Sequence, residues 1–484
     1  MSTATTAAGS TATATTSAGS TATATTAVAA GGPGAGDTGD IAQLATWVAG
    51  LARHGEQLEA YVAKGRETEI RVFDGEVESL SSAESAGIGI RVLSGGRQGF
   101  AYAGALDLDS VEETLREARD NAVFVSEDPY LGLAQPDGVA PASLDLWRDE
   151  LGSFPTAEKV RLALELERAV RAGDPRIRAV QAADWGDSAV ESAIATNTGI
   201  MAYSRRCSCY LSASAIAGEG DDTQTGGGYS VGRSPADLDV NVAAHDAVRR
   251  ATRLLGATRP RSAHLTVVLE PRITATLLAI LASTLDGESV LKGRSLFAER
   301  VGELVAVGGL TLVDDPTNPE AYSASSYDAE GLATRRNVLI EDGILRKFLY
   351  NTYSARRAGT VSTGSAVRGG YSGAPGTGAR AVSLVPGTKS ADEIVAAVGD
   401  GLLVQSVSGI HSGVNPVSGD FSVGAEGVLI EGGALAGPVR EITIASTIQR
   451  MLTDVVEIGA DLEYLPSSAA GLTLAISDVA MSGQ

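Results

Sequence analysis

The chain has 484 residues, more than one ordinary domain holds, which favours two or three domains. Its formal net charge of −21 argues against nucleic-acid binding, because that function depends on Lys and Arg side chains that neutralise phosphates. With 58 glycines, 5% aromatic residues and 44% hydrophobic residues, the composition favours sheets of aliphatic residues joined by tight turns.

The N-terminal segment, residues 1–38, is predicted to be a disordered tail rich in Thr, Ala and Gly. Residues 1–36 carry no charged side chain, and the sequence Ser-Thr-Ala-Thr-Ala-Thr-Thr occurs at 10–16 and again at 20–26. Such a segment has too little large apolar surface to fold alone. It also has neither the basic start nor the apolar run of a secretory signal.

The cysteines and the apolar stretches predict the compartment. Cys207 and Cys209 are too close for an ordinary disulfide, so no disulfide framework exists, which fits a reducing cytoplasm. The longest largely apolar stretch, Ile273–Leu285, is shorter than the roughly 20 residues that a membrane helix needs. We therefore expect a cytoplasmic protein without a membrane span.

The first folded region, residues 39–258, mixes helical and strand patterns. Ser110 and Glu113 have the spacing of a capping box, and Ser234 precedes a proline that suits a first helical turn. The sequence predicts helices at about 41–64, 110–125, 156–171 and 234–256, and strands from 65 to 102 and from 177 to 213.

The second region, residues 259–484, opens with a strand and an apolar helix and then becomes mostly β. Residues 338–345 and 428–435 resemble each other, and each predicts a tight hairpin, so we expect two similar hairpins in one sheet system. Further helices are predicted at about 390–399 and 447–458. The predicted class is α+β, with an N-terminal α/β domain followed by a β-rich C-terminal domain of mixed or antiparallel sheets with a few helices.

The residues alone form no catalytic constellation. His54 and His245 lie on predicted helices, His264 begins a strand, and none of them has a second His at the spacing of a zinc helix. His411 lies in a polar loop and is the one His that we consider for a site, although a surface role is favoured. No nucleophile elbow or phosphate-binding glycine loop is present.

Longer motifs carry a resemblance to a known family. Their succession along residues 40–480 is similar to the TldD/TldE family, also called PmbA or "modulator of DNA gyrase". The motifs are Phe73–Ser79, Gly87–Val92, Gly293–Phe297, Val301–Leu304, Leu310–Pro316, Tyr327–Gly331, Val338–Leu345, Tyr350–Arg357, Ser362–Gly364, Gly413–Ser422, Gly427–Glu431 and Pro438–Ile444.

The resemblance implies where a metal would be bound in a catalytic relative. TldD carries His-Glu-x-x-x-His on a helix and a Cys near its C-terminus, so that two His side chains bind zinc and the Glu activates water. Aligned on 285–288 and 293–295, the two His positions are Leu278 and Ser283, and the Glu position is Ala279. No cysteine follows Cys209. The chain therefore resembles TldE, the member without the zinc motif, and no metal ligand or cofactor is predicted in it.

The same resemblance implies a heterodimer with a TldD-like subunit that supplies zinc and cleaves small or unfolded peptides. A peptide held as an added strand against a sheet edge would be bound with little sequence preference. The predicted substrate-binding residues, with no catalytic residue among them, are Tyr350, Tyr353, Arg356, Asn415, Asp420 and Ser422. Equally open is that Asn415 and Asp420 fix loop turns and that Arg356 pairs with an acid. Two alternatives to the heterodimer are a non-catalytic homodimer that binds peptides and a regulator associated with DNA gyrase.

Overall fold

The computed structural model describes residues 40–483, so the predicted tail lies outside the described residues. The helices are α1 (Ile41–Gly50), α2 (Leu108–Val123), α3 (Asp149–Ser153), α4 (Thr156–Gly173), α5 (Val240–Arg253), α6 (Pro271–Thr284), α7 (Gly287–Leu291), α8 (Thr352–Ala358), α9 (Ala391–Val398), α10 (Ile410–Gly413) and α11 (Ile448–Thr453). The strands are β1 (Gln57–Phe73), β2 (Glu76–Ser94), β3 (Arg97–Ala103), β4 (Ile177–Thr196), β5 (Met201–Ala217), β6 (Gln224–Gly232), β7 (Ala263–Leu269), β8 (Leu312–Asp314), β9 (Asn337–Glu341), β10 (Ile344–Leu345), β11 (Ala366–Val367), β12 (Gly376–Thr377), β13 (Val382–Leu384), β14 (Gly401–Ser408), β15 (Asp420–Glu431), β16 (Ala434–Thr447), β17 (Val455–Ile458) and β18 (Leu474–Ser482).

The first region is one antiparallel sheet with helices packed on one face. Its strand order is β3-β2-β1-β4-β5-β6. Helices α1 and α2 cover one end of this face, where Leu58, Val62 and Ile90 are buried. Helices α4 and α5 cover the other end, over Ile70 and Trp185. The opposite face of the sheet is left for the second region.

The second region is built around a larger mixed sheet. Its strand order is β16-β15-β14-β7-β18-β17, in which β14 and β7 are parallel, and an added pairing between β16 and β18 joins five of the strands into a ring. Helix α6 packs into the main core beside this sheet. A four-stranded sheet, β10-β9-β8-β13, and the pair β11-β12 complete the region. The predicted α+β class is confirmed.

A long segment between α2 and α3, residues 124–148, forms neither helix nor strand; we call it the strap. The Leu133 N–H donates to the Gln57 side chain at 2.7 Å, and the Leu146 carbonyl accepts from the Cys207 N–H at 2.9 Å. Leu144 and Leu146 also pack against small residues of the second region. The strap therefore contacts both regions and lies along the junction between them.

Several predicted boundaries are wrong. The first helix ends at Gly50 rather than Lys64, and the following residues enter β1, where both faces are buried so that apolar alternation is masked. His54 consequently lies in the turn between them. The predicted helix from 234 is a 3-10 turn, and α5 begins separately behind the N-cap Asp239.

Three further details differ from prediction. Asp107, rather than Ser110, caps α2 by accepting a hydrogen bond from the Ser110 N–H. The last predicted helix ends at Thr453, and the residues after it form β17. Both hairpins form, with positive φ at Asp342 and Gly432. They belong to different sheets, however, because β9 pairs with β8 while β15 pairs with β14.

Candidate functional site

Helix α6 carries the three positions at which the resemblance would place the zinc motif, and the side chains there do not suit a metal. Leu278 is 1% exposed and belongs to the main core. Ala279 is exposed but has no donor atom, and the exposed Ser283 hydroxyl donates to the Ile280 carbonyl at 2.7 Å. Zinc sites in proteins use Cys, His or carboxylate ligands. Among residues 40–483, moreover, no three His, Cys, Asp or Glu side chains come together as a metal site would require.

Two of the predicted site segments border this helix. Tyr350 covers its C-terminal end, where the ring fills the space that a Cβ at Gly287 would need. Burial, and then the nearby Asp286 carboxylate, raise the pKa of Tyr350. At the side of the helix, Thr276 and Ile280 line a small apolar cleft together with Val407, Ile410 and Phe421. The segment 408–422 therefore packs against α6 through Ile410 and Phe421.

Of the three predicted residues in that segment, Asn415 and Asp420 contact their own loop. The Asn415 side chain accepts from the N–H groups of Val417 at 2.9 Å and Ser418 at 3.3 Å. The Asp420 carboxylate accepts from the Ser418 hydroxyl at 2.6 Å. Asp420 and Ser422 are exposed where β15 begins. These contacts shape the loop beside α6, which agrees with the structural alternative for Asn415 and Asp420.

The other predicted residues, on α8, contact the strap. The Tyr353 hydroxyl donates to Asp128 at 2.7 Å, and the Arg356 guanidinium donates to the Leu133 carbonyl at 3.2 Å. Arg356 thus binds a backbone oxygen rather than an acid in this structure. Helix α8 begins at a capping box formed by Asn351 and Ser354. Tyr353 and Arg356 consequently help to join the two regions.

A buried charged cluster at this junction did not emerge from the sequence. The Glu59 carboxylate lies between Arg91 at 2.6 Å and Arg368 at 2.7 Å, and all three side chains are nearly inaccessible to solvent. Burial alone would raise the pKa of Glu59, but the two guanidinium groups outweigh it and lower the pKa to about 2. Arg368 also lies over the Tyr61 ring, 4.5 Å from its centroid. We call Glu59, Arg91, Arg368 and Glu330 the junction cluster.

Glu330 links the junction cluster to α8. One of its carboxylate oxygens accepts from the Thr352 N–H at 2.8 Å and from the Thr352 hydroxyl at 2.6 Å. The other lies 3.9 Å from Arg91. A carboxylate at the first turn of a helix is favourable because free N–H groups and the helix dipole meet there. The motif Tyr327–Gly331 was therefore a usable signal for this residue.

Comparison with known proteins identifies the family. Models of the PmbA/TldA metallopeptidase domains match in order: domain 1 at residues 58–122, the central domain at 149–255 and the C-terminal domain at 262–483. The chain belongs to the PmbA/TldD family. The Metalloprotease PmbA of Escherichia coli O157:H7 is 28% identical over 428 residues, which cover 88% of this chain and 92% of the relative. A Metalloprotease TldD homolog of Haemophilus influenzae is 28% identical over 382 residues, covering 77% and 78%.

Solved structures share the PmbA/TldD fold over nearly the whole described chain. A crystal structure from Bacteroides thetaiotaomicron, of a protein suggested to modulate DNA gyrase, has a TM-score of 0.81 and 26% identity, and the match covers 91% of this chain and 98% of that one. TldE from Thermococcus kodakarensis has a TM-score of 0.81 and 24% identity, with 88% and 97% covered. Relatives named metalloproteases together with this shared fold place the chain in a peptidase family.

Proposed function

We propose that this chain is the metal-free subunit of a PmbA/TldD-type metallopeptidase and that it pairs with a zinc-bearing relative to cleave small or unfolded peptides. The observation that carries the proposal is the chemistry of α6, where Leu278, Ala279 and Ser283 replace the two His and the Glu of the zinc motif. Leu278 is built into the core, so it contributes to packing rather than to a site.

The shared fold supports a role for the chain that does not require it to bind a metal. The match covers 92% of the PmbA relative and 97% of TldE, so the chain shares their fold over nearly their full length while α6 carries no zinc motif. A scaffold of this kind can shape a substrate cavity and position a catalytic subunit. In this proposal, Tyr350 beside α6 and the loop with Asn415, Asp420 and Ser422 face that cavity. Tyr353 and Arg356 hold α8 against the strap and keep Tyr350 in place.

The proposal is tested by purifying the chain alone and together with a family relative that carries His-Glu-x-x-x-His. Bound zinc is measured by mass spectrometry, and hydrolysis is measured on an unfolded peptide. We expect one zinc per pair and hydrolysis only in the mixture. Peptide binding by a homodimer without any effect on the relative would instead establish the non-catalytic alternative. Zinc and hydrolysis with the isolated chain would contradict both.

A further inference from the structure

The first sheet has two edges, and among residues 40–483 only one of them is covered by other parts of the chain. At β6, the Arg272 guanidinium donates to the Gly227 carbonyl at 2.9 Å and lies 4.0 Å from the centroid of the Tyr229 ring. At the other end, β3 pairs with β2 only over residues 88–94. Within residues 40–483, the stretch 76–87 of β2 pairs with β1 alone. We call this stretch the free edge.

The free edge has few of the features that keep strand edges from pairing. Exposed edges are commonly blocked by Pro, by Lys or by a covering segment. The free edge contains neither Pro nor Lys, and residues 76–85 are all exposed. A bulge opposite Arg71 and Val72 distorts the ladder near the hairpin, but pairing is regular from Ser79 onward. Ser and Ala predominate from 79 to 86, so another strand can approach closely.

The apolar face of the sheet continues as far as this edge. Ile70 and Val72 are buried in the core under α4, and their cross-strand neighbours are Leu80 and Val77. Paired residues share one face of a sheet. Leu80 and Val77 nevertheless remain 49% and 43% exposed. A strand added at the free edge, with an apolar side chain beside Leu80, would bury them and extend the core.

Charge indicates which chain would fit. The free edge carries Glu76, Glu78 and Glu84 and no basic residue. The neighbouring Arg66 donates to the Gly152 carbonyl at 3.0 Å. Arg71 donates to Asp184 at 2.8 Å and interacts only more weakly with Glu78. Two copies of this edge would bring glutamates together, and like charges on adjacent strands repel. A different chain with basic side chains on its strand is therefore favoured over a second copy.

We propose that residues 76–87 are the site at which the zinc-bearing partner adds a strand to this chain, with apolar side chains on the α4 side and basic side chains near the glutamates. The inference rests on the proposed function, because it assigns the surface through which those two subunits pair. When a strand is added to a sheet edge, backbone hydrogen bonds provide the affinity, and every second side chain of the added strand provides the selectivity. The first sheet would then continue into the partner through the added strand.

Proline substitutions at two adjacent positions test the backbone pairing. In a strand, neighbouring N–H groups point to opposite sides, so of Ser81→Pro and Ser82→Pro one removes a donor from the β1 ladder and the other removes it from the free edge. Thermal unfolding identifies the variant that keeps its ladder. We expect that variant to bind the family relative that carries His-Glu-x-x-x-His about tenfold more weakly or worse, measured by surface plasmon resonance.

Charge reversal at the free edge is a second test, and the same change on the neighbouring strand is its matched control. Glu84→Lys should weaken pairing about fivefold at low salt. Glu67→Lys makes the same change on β1, which is flanked by β2 and β4, and should have little effect. Wild-type binding by both the ladder-keeping proline variant and Glu84→Lys would overturn the inference and leave the proposed function standing. Failure of the wild-type chain to bind the relative would overturn both.

Discussion

Helix α6 and the junction cluster both lie in the interior of the molecule, yet their side chains are opposite in kind. Along α6, the buried residues include Ile273, Leu277, Leu278 and Leu281, and positions that bear ligands in a zinc helix are apolar or small. At the junction, Glu59 and Glu330 are buried with Arg91 and Arg368. A buried cluster of charged side chains thus lies where the two regions meet, whereas the buried residues of α6 carry no charge.

Helix α6 and the junction cluster should therefore contribute to stability in different ways. A well-packed apolar helix is stabilised by the area that it removes from water. A buried carboxylate is tolerated only while its guanidinium partners remain, because removal of one partner leaves a charge without compensation. The junction should therefore be the more fragile of the two, and α6 the more tolerant at its exposed positions.

The largest effect is expected from Glu59→Gln, which leaves Arg91 and Arg368 without their shared carboxylate. We expect a loss of about 3–5 kcal/mol in the free energy of unfolding, measured by urea denaturation. Glu165→Gln is the matched control, because Glu165 pairs with Arg161 on the exposed side of α4. That variant should lose no more than about 0.5 kcal/mol. Equal losses for the two variants would contradict the assignment of the junction cluster.

The difference in unfolding free energy between the wild type and Glu59→Gln should also depend on pH. Since the pKa of Glu59 is lowered from 4.5 to about 2 in the folded chain, its stabilisation is complete above about pH 4.5 and is lost as the pH falls toward 2. The gap in unfolding free energy between the wild type and Glu59→Gln should therefore shrink over that range. A gap that stays constant from pH 5 to pH 2.5 would show that Glu59 is not held ionised by its partners.

On α6 the effects should depend on burial alone. Leu278→Ala removes a core side chain and should cost about 2–5 kcal/mol in the free energy of unfolding, measured by urea denaturation. Ser283→Ala changes an exposed residue whose hydroxyl bonds its own helix, and should stay within about 0.5 kcal/mol. Neither substitution should alter the zinc content of the pair that the chain forms with the relative carrying His-Glu-x-x-x-His. A loss of bound zinc with Ser283→Ala would mean that the helix takes part in a metal site.

A smaller loss than at Glu59 or Leu278 is expected at the strap. Tyr353→Phe removes the hydrogen bond from the Tyr353 hydroxyl to Asp128 and should cost about 1 kcal/mol in the free energy of unfolding. A double-mutant cycle with Asp128→Asn measures the coupling, and the double variant should lose less than the sum of the single losses. Additive losses would show that this contact does not link α8 to the strap.

Sequence patterns predicted the fold better than the site. Caps and periodic apolar residues indicated α4 and α6 to within a few residues, and paired turn residues indicated both hairpins. Helix α1 was extended too far because β1 is buried on both faces and shows no alternation. The junction cluster was missed because Glu59 and Arg368 are remote in sequence, and only tertiary structure brings them within 2.7 Å.

The proposal that this chain is the metal-free subunit is tested most directly with a pair in which only the relative has lost its metal ligands. The family relative is prepared with both histidines of its His-Glu-x-x-x-His motif replaced by alanine and is mixed with the wild-type chain. We predict that the two chains still associate, that the pair holds no zinc, and that the unfolded peptide is not cleaved. Zinc binding and cleavage by this mixture would mean that the present chain supplies metal ligands of its own and would contradict its assignment as the metal-free subunit.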